Sequence, residues 1–249
     1  MKEQHEKSRN PMIRLITLIA LLGLISGCAT VPRGAEDPRD PLQGFNRSMY
    51  QFNDSLDKAI IKPVAKGYRT VVPHPIDYGI TNAFGNLQDV VTTINDILQL
   101  KLLQAGSDAV RVLVNSTMGL LGLFDVATEM GFTKHREDFG QTLGYWGVGE
   151  GAYLVLPVLG SSTIRDTVGI IVDVNFDPLI KYHNVSTRNA MLTLKLVDTR
   201  ADLLSASKVL QQAALDPYDF VKEAYFQQRD NDIQNGDPQP PSNHTPPEK

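Results

Sequence analysis

Apolar residues recur at steps of three and four over most of this 249-residue chain, and that spacing constrains the fold more than any other feature. Phe45, Met49, Phe52, Leu56 and Ile60 step by four, three, four and four, which predicts one helical stripe turned toward a core. Leu87, Val90, Val91, Ile94, Ile97 and Leu98 predict the inward face of a second helix near 86–101, and the Val- and Leu-rich segment 106–116 predicts a third. The longest helix is expected over 186–214, with Leu192, Leu196, Leu203 and Leu210 in one row and Met191, Leu194, Val197, Ala201 and Leu204 in the next. Asp40-Pro41, Asp177-Pro178 and Asp216-Pro217 each read as an N-cap followed by a first-turn proline. The last of these opens a helix carrying Phe220, Val221, Ala224 and Tyr225. Strand alternation is limited to Tyr153-Leu154-Val155-Leu156, and no stretch beyond residue 27 reaches 18 apolar residues, so no transmembrane helix is expected.

The chain is 42% apolar and 21% charged, which suffices for a packed core and excludes a disordered protein. A formal charge of -4 argues against a general nucleic-acid binder. A single cysteine excludes a disulfide framework and a Cys-based zinc site within one chain.

That cysteine, Cys28, follows Leu15–Ile25, an eleven-residue apolar stretch interrupted by Thr17 and Gly23 and preceded by Lys2, Lys7, Arg9 and Arg14. The length suits a signal-peptide core and is too short to span a bilayer. Leu24-Ile25-Ser26-Gly27-Cys28 resembles a bacterial lipobox, with Ile25 where leucine is usual. A free thiol would have no reason to stand there. Cys28 is therefore expected to carry the acyl chains after removal of residues 1–27, and Ala29 behind it implies export to the outer membrane. Residues 28–39 read as a tether, 40–228 as one compact unit, and 229–249, with five prolines and almost no apolar residue, as a disordered tail.

Signals for catalysis are weak. Ser161 or Ser162 with His183 and Asp166 is the best hydrolytic set available, and Arg165-Asp166 reads better as an ion pair or cap. Gly147-Val148-Gly149-Glu150-Gly151-Ala152 matches a loose dinucleotide fingerprint, but no strand is expected before it and Tyr153–Pro157 follow where a helix should. The cluster of Gly144, Gly147, Gly149 and Gly151 with Trp146 and Tyr153 has two readings. It is a buried, turn-rich hairpin, or a flexible loop flanked by aromatics beside a ligand path. Lys134-His135-Arg136 reads as a solvated charge run, with attraction of lipid phosphates by Lys134 and Arg136 as the alternative. No cofactor and no metal are expected.

Several segments resemble the MlaA (VacJ) family of outer-membrane lipoproteins. They are Asp40-Pro41-Leu42-Gln43-Gly44-Phe45-Asn46-Arg47, Asn115-Ser116-Thr117-Met118-Gly119 with Gly122-Leu123-Phe124-Asp125-Val126-Ala127, and Glu137–Gly144 running through Gly151–Pro157 to Ser162–Asp166. Ala152 and Ser161 stand where the family often has proline. The resemblance implies a mainly α, single ring-like bundle of amphipathic helices with a Gly-rich hairpin, lipid-anchored and periplasm-facing in the outer membrane. It also implies a passive channel taking mislocalised phospholipids from the outer leaflet, with trimeric porins as scaffold and a soluble, MlaC-like periplasmic carrier as acceptor. On that reading the segment from Gly144 to Gly151 becomes a mobile wall of the channel. The alternative is a structural, porin-associated envelope lipoprotein without transport activity.

Overall fold

The computed structural model describes residues 37–234, the side chains of 209–213 excepted. Cys28, the signal peptide, most of the tether and residues 235–249 lie outside the described residues.

The backbone is helical almost throughout. Helix α1 (Gln43–Leu56) runs into a π-helical turn (Asp57–Ile61) and on into α2 (Lys62–Val71). Helices α3 (His74–Leu98) and α4 (Leu102–Thr117) form a hairpin, followed by the single turn α5 (Val126–Glu129) and by α6 (Phe139–Tyr145). Strands β1 (Tyr153–Leu156) and β2 (Gly160–Thr163) pair antiparallel, with Tyr153 opposite Thr163 and Leu156 opposite Gly160. Helices α7 (Ile164–Asp173), α8 (Val185–Asp202), α9 (Leu204–Ala213) and α10 (Pro217–Ile233) complete the described chain. None of its helices is long and apolar enough to cross a membrane.

Packing closes these elements into a ring. Helix α1 lies on β1, β1 pairs with β2, and β2 contacts α10. The circuit continues from α10 to α6, α6 to α3, α3 to α8 and α8 to α2, which meets the π-helical turn that prolongs α1. One apolar nucleus sits at the α1–hairpin–α10 junction. Tyr153, Val155, Tyr218 and Phe226 are buried there, with Met49, Tyr50 and Tyr225 packed around them. The Tyr153 ring lies 5.5 Å from Phe226 and 6.3 Å from Tyr218, separations at which tilted aromatic pairs attract.

Local signals succeed where a side chain satisfies its own helix end. The Asp216 carboxylate accepts from the Tyr218 amide at 2.9 Å with Pro217 in the first turn, and Asn184 caps α8 through the Thr187 amide at 3.0 Å. Other expectations need correction. The 186–214 helix is two, interrupted at Leu203. Asp177-Pro178 opens turns, and the Asp177 side chain caps only the Leu179 amide, at 2.8 Å. Asp40 does not cap α1. Its buried carboxylate instead accepts from Asn46 Nδ2 at 2.7 Å and from the Tyr218 hydroxyl, so it ties α1 to α10. The tail boundary at 229 falls inside α10, whose Arg229 and Ile233 pack against the body. Likewise Arg39, placed in the tether, offers its carbonyl to the Tyr153 amide at 2.9 Å and its guanidinium to Glu223.

The largest correction concerns direction. Phe52 and Ile60, expected inward, are exposed, and Asn46 is the buried residue of α1. On α3, Ile97 and Leu98 are exposed and Leu87, Val90 and Ile94 are half-buried, while Asn86, Asp89, Thr92, Asn95 and Asp96 are buried beside Val91. Among the described residues twenty-one polar or charged side chains are buried against ten apolar ones. In water the apolar stripe should take the inside, so this chain folds with its polarity inverted.

Candidate functional site

Burying polar groups is costly unless each finds a partner. Many of the polar groups packed between α3, α4 and α6 meet that demand through a network. Arg111 on α4 is fully buried. Its Nη2 donates to both Asp125 oxygens at 3.0 and 3.1 Å, and its Nη1 donates to the Phe132 carbonyl at 2.6 Å and Thr128 Oγ1 at 2.9 Å. Burial pushes Asp125 up, but hydrogen bonds from Thr128, Asn115 and Arg111 outweigh it and bring its pKa down to about 2. Asn115 donates to Asp125 at 2.9 Å and accepts from the Ala127 amide, which locks the turn between α4 and α5.

A second set joins α3 to α6. Thr142 Oγ1 donates to Asn95 Oδ1 at 2.8 Å, and Gln99 Nε2 donates to Glu137 Oε2 at 2.8 Å. The other Glu137 oxygen takes Lys101 at 2.8 Å. Asn95 Nδ2 and the Phe139 amide both donate to Asp173, each at 2.9 Å, bringing in α7. Between these sets lies the Asp96–Asp108 pair. Neither Asp96 oxygen has a donor among the described residues, and Asp108 Oδ2 lies 2.8 Å from His135 Nδ1. Burial, then the neighbouring Asp108 carboxyl, raise Asp96 to about 8, so this carboxyl is protonated near neutrality.

Apolar side chains occupy the outside. Leu103 is 94% exposed and Leu121 82% exposed, and Leu98, Leu100, Leu102, Leu120, Phe124 and Ile171 are exposed as well. Such a surface is expected to meet another apolar phase.

The Gly-rich segment is exposed along one stretch and anchored at its two ends. A Cβ on Gly144 would lie 2.7 Å from Ile233 Cδ1, so α10 approaches α6 closely there. Gly147 has φ +84 and, like Gly149, open space around it. Trp146 is exposed and its Nε1 donates to the Leu98 carbonyl at 3.1 Å. Gly151 packs against Ile164. Tyr153 belongs to a different environment: it is fully buried in the aromatic nucleus, with its hydroxyl 2.7 Å from Ser161 Oγ. Helix α6 precedes the glycines and β1 follows them, the reverse of a dinucleotide-binding context.

The two basic candidates separate. Lys134 lies 3.1 Å from Asp89 Oδ1 and serves the interior network, whereas Arg136 is exposed. The hydrolytic set is not assembled. Asp166 is held by Arg165 at 2.9 Å, Arg229 at 2.9 Å and the Tyr225 hydroxyl, Ser161 pairs with Tyr153, Ser162 Oγ lies 3.0 Å from Thr167 Oγ1, and His183 is exposed. Sequence reasoning missed the polar interior. Its signal was present: Asp89, Thr92, Asn95, Asp96 and Gln99 recur at helical spacing, as regular a stripe as the apolar one beside it.

The MlaA lipoprotein family model matches residues 38–232. The intermembrane phospholipid transport system lipoprotein MlaA of Escherichia coli K12 is 37% identical over 235 residues, 93% of each chain. The protein of the same name from Haemophilus influenzae is 32% identical over 226 residues, 89% of each. A solved chain from work on the structural basis for maintenance of bacterial outer membrane lipid asymmetry is also similar. It superposes with a TM-score of 0.69 at 37% identity, covering 78% of this chain and 98% of that one. With nearly every described residue inside that match, the chain belongs to the MlaA lipoprotein family.

Proposed function

We propose that this protein acts in phospholipid transport as a passive conduit, taking mislocalised phospholipids from the outer leaflet of the outer membrane and passing them to a soluble periplasmic carrier. The observation that carries the reading is the inverted polarity of the ring. Apolar side chains outside suit acyl chains, and a hydrogen-bonded polar interior suits a headgroup. Moving a charged headgroup through hydrocarbon costs several kcal/mol or more, and a polar-lined path removes much of that barrier. Release of the whole lipid into water is worse. About 30 methylenes at roughly 0.8 kcal/mol each amount to ~24 kcal/mol. The lipid must therefore pass directly to a partner with an apolar pocket. Acyl chains on Cys28 would hold the ring at the bilayer surface, and trimeric porins would hold it in place there. Family membership supports the reading, since relatives of this length bear a phospholipid-transport name.

The test is transfer by the lipidated protein, reconstituted with its porin in vesicles carrying labelled phospholipid, to an added periplasmic carrier. Labelled lipid should reach the carrier only when the protein is present. Equal transfer without it, together with unchanged outer-leaflet phospholipid in cells lacking the gene, would favour a structural envelope role instead.

A further inference from the structure

Two cavities adjoin at the π-helical turn. The first, about 450 Å³, is lined by charged side chains of α1, the turn, α2 and α8, among them Asp54, Lys58, Lys62 and Arg200. The second, about 300 Å³, is mainly apolar, with Leu56, Ile61, Val158, Leu159 and Leu196 in its wall. Asp57, Arg200 and Leu203 line both. Each volume lies in the range of small-ligand pockets. The second cavity also draws its wall from the hairpin turn and from α8, so it lies between separate elements of the ring.

The charges in the first cavity do not cancel. Lys58 lies 2.7 Å from Asp54, and Arg200 is bidentate to Asp57 at 2.7 and 2.9 Å. Lys62 is the cation left without a carboxylate among the described residues that line the cavity. Arg200 Nη1 is buried and has no acceptor among the described residues. One unpaired ammonium and one unpaired guanidinium N–H thus border the same cavity, beside an apolar chamber. The backbone marks the same place twice. A π-helical turn, a form frequent at functional sites, carries Asp57 and Lys58. Val158 in the wall of the second cavity has φ +68, a conformation that β-branched residues rarely adopt.

We infer that these two cavities form one receptor for a single glycerophospholipid, with the phosphodiester held by Lys62 and Arg200 and an acyl chain lying along Leu56, Ile61, Leu196 and Leu203. This deepens the transport reading by giving the path a headgroup station, and rests on that reading for the source of the ligand. Asp57 orients the guanidinium and leaves one arm for the phosphate. The bidentate clasp makes Arg200 a fixed donor, and Lys62, on a flexible stem, is the adaptable one.

The test places a photo-reactive benzophenone residue at Leu203, or at Leu196, in the full lipidated protein in phosphatidylglycerol vesicles. Phospholipid should be captured at both positions. Lys62→Gln should lower capture roughly tenfold, as loss of one charge-assisted contact would, and Lys62→Arg should restore it. Lys62 holds no other side chain, so the Gln variant keeps its fold, and a melting curve checks this. Arg200→Gln should lower capture too, with partial loss of stability because Asp57 is left alone. Capture that ignores the charge at 62, or no phospholipid at either position, would overturn the site. Full suppression by millimolar glycerol 3-phosphate would also overturn it, by showing a receptor for soluble phosphates. Transfer to the carrier is scored separately. Transfer without capture refutes the site alone, and charge-dependent capture without transfer supports the site and refutes the conduit.

Discussion

Arg229 grips Asp138 with both arms of its guanidinium, each nitrogen 2.6 Å from a different carboxylate oxygen. Its Nε reaches Asp166 at 2.9 Å, so one side chain of α10 joins the N-termini of α6 and α7. Those two helices cross without room for a side chain, since a Cβ on Gly169 would lie 2.4 Å from the Gly140 amide nitrogen. Burial works against the Arg229 charge, but the two carboxylates dominate and raise its pKa.

Residues 229–233 are therefore part of the folded unit. A chain ending at Gln228 should be less stable than one ending at Gln234, and Arg229→Ala in the full chain should cost about 2–4 kcal/mol, because Asp166 keeps its burial and loses a partner. Urea unfolding of the two shortened chains, the full-length parent and its Arg229→Ala variant measures both effects. Equal midpoints would show that the clasp contributes nothing.

The Asp96–Asp108 pair predicts a pH dependence with a definite sign. Asp96 titrates near 3.8 when unfolded and at about 8 when folded. Between those values the folded state binds the extra proton, so stability falls as pH rises from about 4 to 8 and levels off above. Lys101, Glu137, His135 and Asp89 surround the pair; Lys101 eases the ionisation of Asp96 and Glu137 opposes it. Asp96→Asn should flatten the slope and leave the protein more stable than the parent at pH 8. Melting temperatures at pH 5, 6.5 and 8 test this, and a slope unchanged by the substitution would assign it elsewhere.

Much of the fold was legible because helix signals are local. Asp216 caps where its spacing said it would, and Tyr153–Leu156 is a strand. Two expectations failed for reasons outside any window. The Leu192–Leu210 row continues in sequence, yet the backbone breaks at Leu203, where two cavities meet. The inward face expected for α3 held at Val91, with Leu87, Val90 and Ile94 half-buried, and failed at Ile97 and Leu98, where periodicity assumed that water lies outside. Period gives a stripe; the surrounding medium decides which way it turns. Grouping Tyr153 with the glycines failed similarly, since nearness in sequence does not show that its ring is enclosed by Tyr218 and Phe226. The polar residues packed between the ring's helices were visible as a stripe but carried no motif.

The Gly147–Gly149 stretch gives a prediction that separates function from folding. Neither position would clash with a side chain, and only Gly147 holds a left-handed backbone, so valine there costs about 1–2 kcal/mol and at Gly149 much less. Both variants should be present at normal abundance. As a wall of the conduit, the stiffened segment should slow transfer to the carrier several-fold in the double variant. Parental transfer rates in that variant would remove the segment from the mechanism.

The inverted polarity makes a prediction that a water-soluble fold would contradict. Charge at an exposed position normally changes stability by less than about 0.5 kcal/mol, and Leu103→Glu or Leu121→Glu should meet that expectation in detergent-free melts. Membrane affinity should respond differently. If these positions lie in acyl chains, each glutamate must be desolvated or drawn back to the interface, at a cost of about 1–3 kcal/mol. The acyl chains at Cys28 would mask this, so the comparison belongs in a Cys28→Ala background with the signal segment removed. There, flotation with phospholipid vesicles should show binding weakened by roughly tenfold to a hundredfold for either glutamate. Glutamate at exposed Arg136 serves as the control for charge alone. If all three variants bind as the parent does, the exposed leucines face water, and the polar interior is then a structural network that does not line a path for lipids.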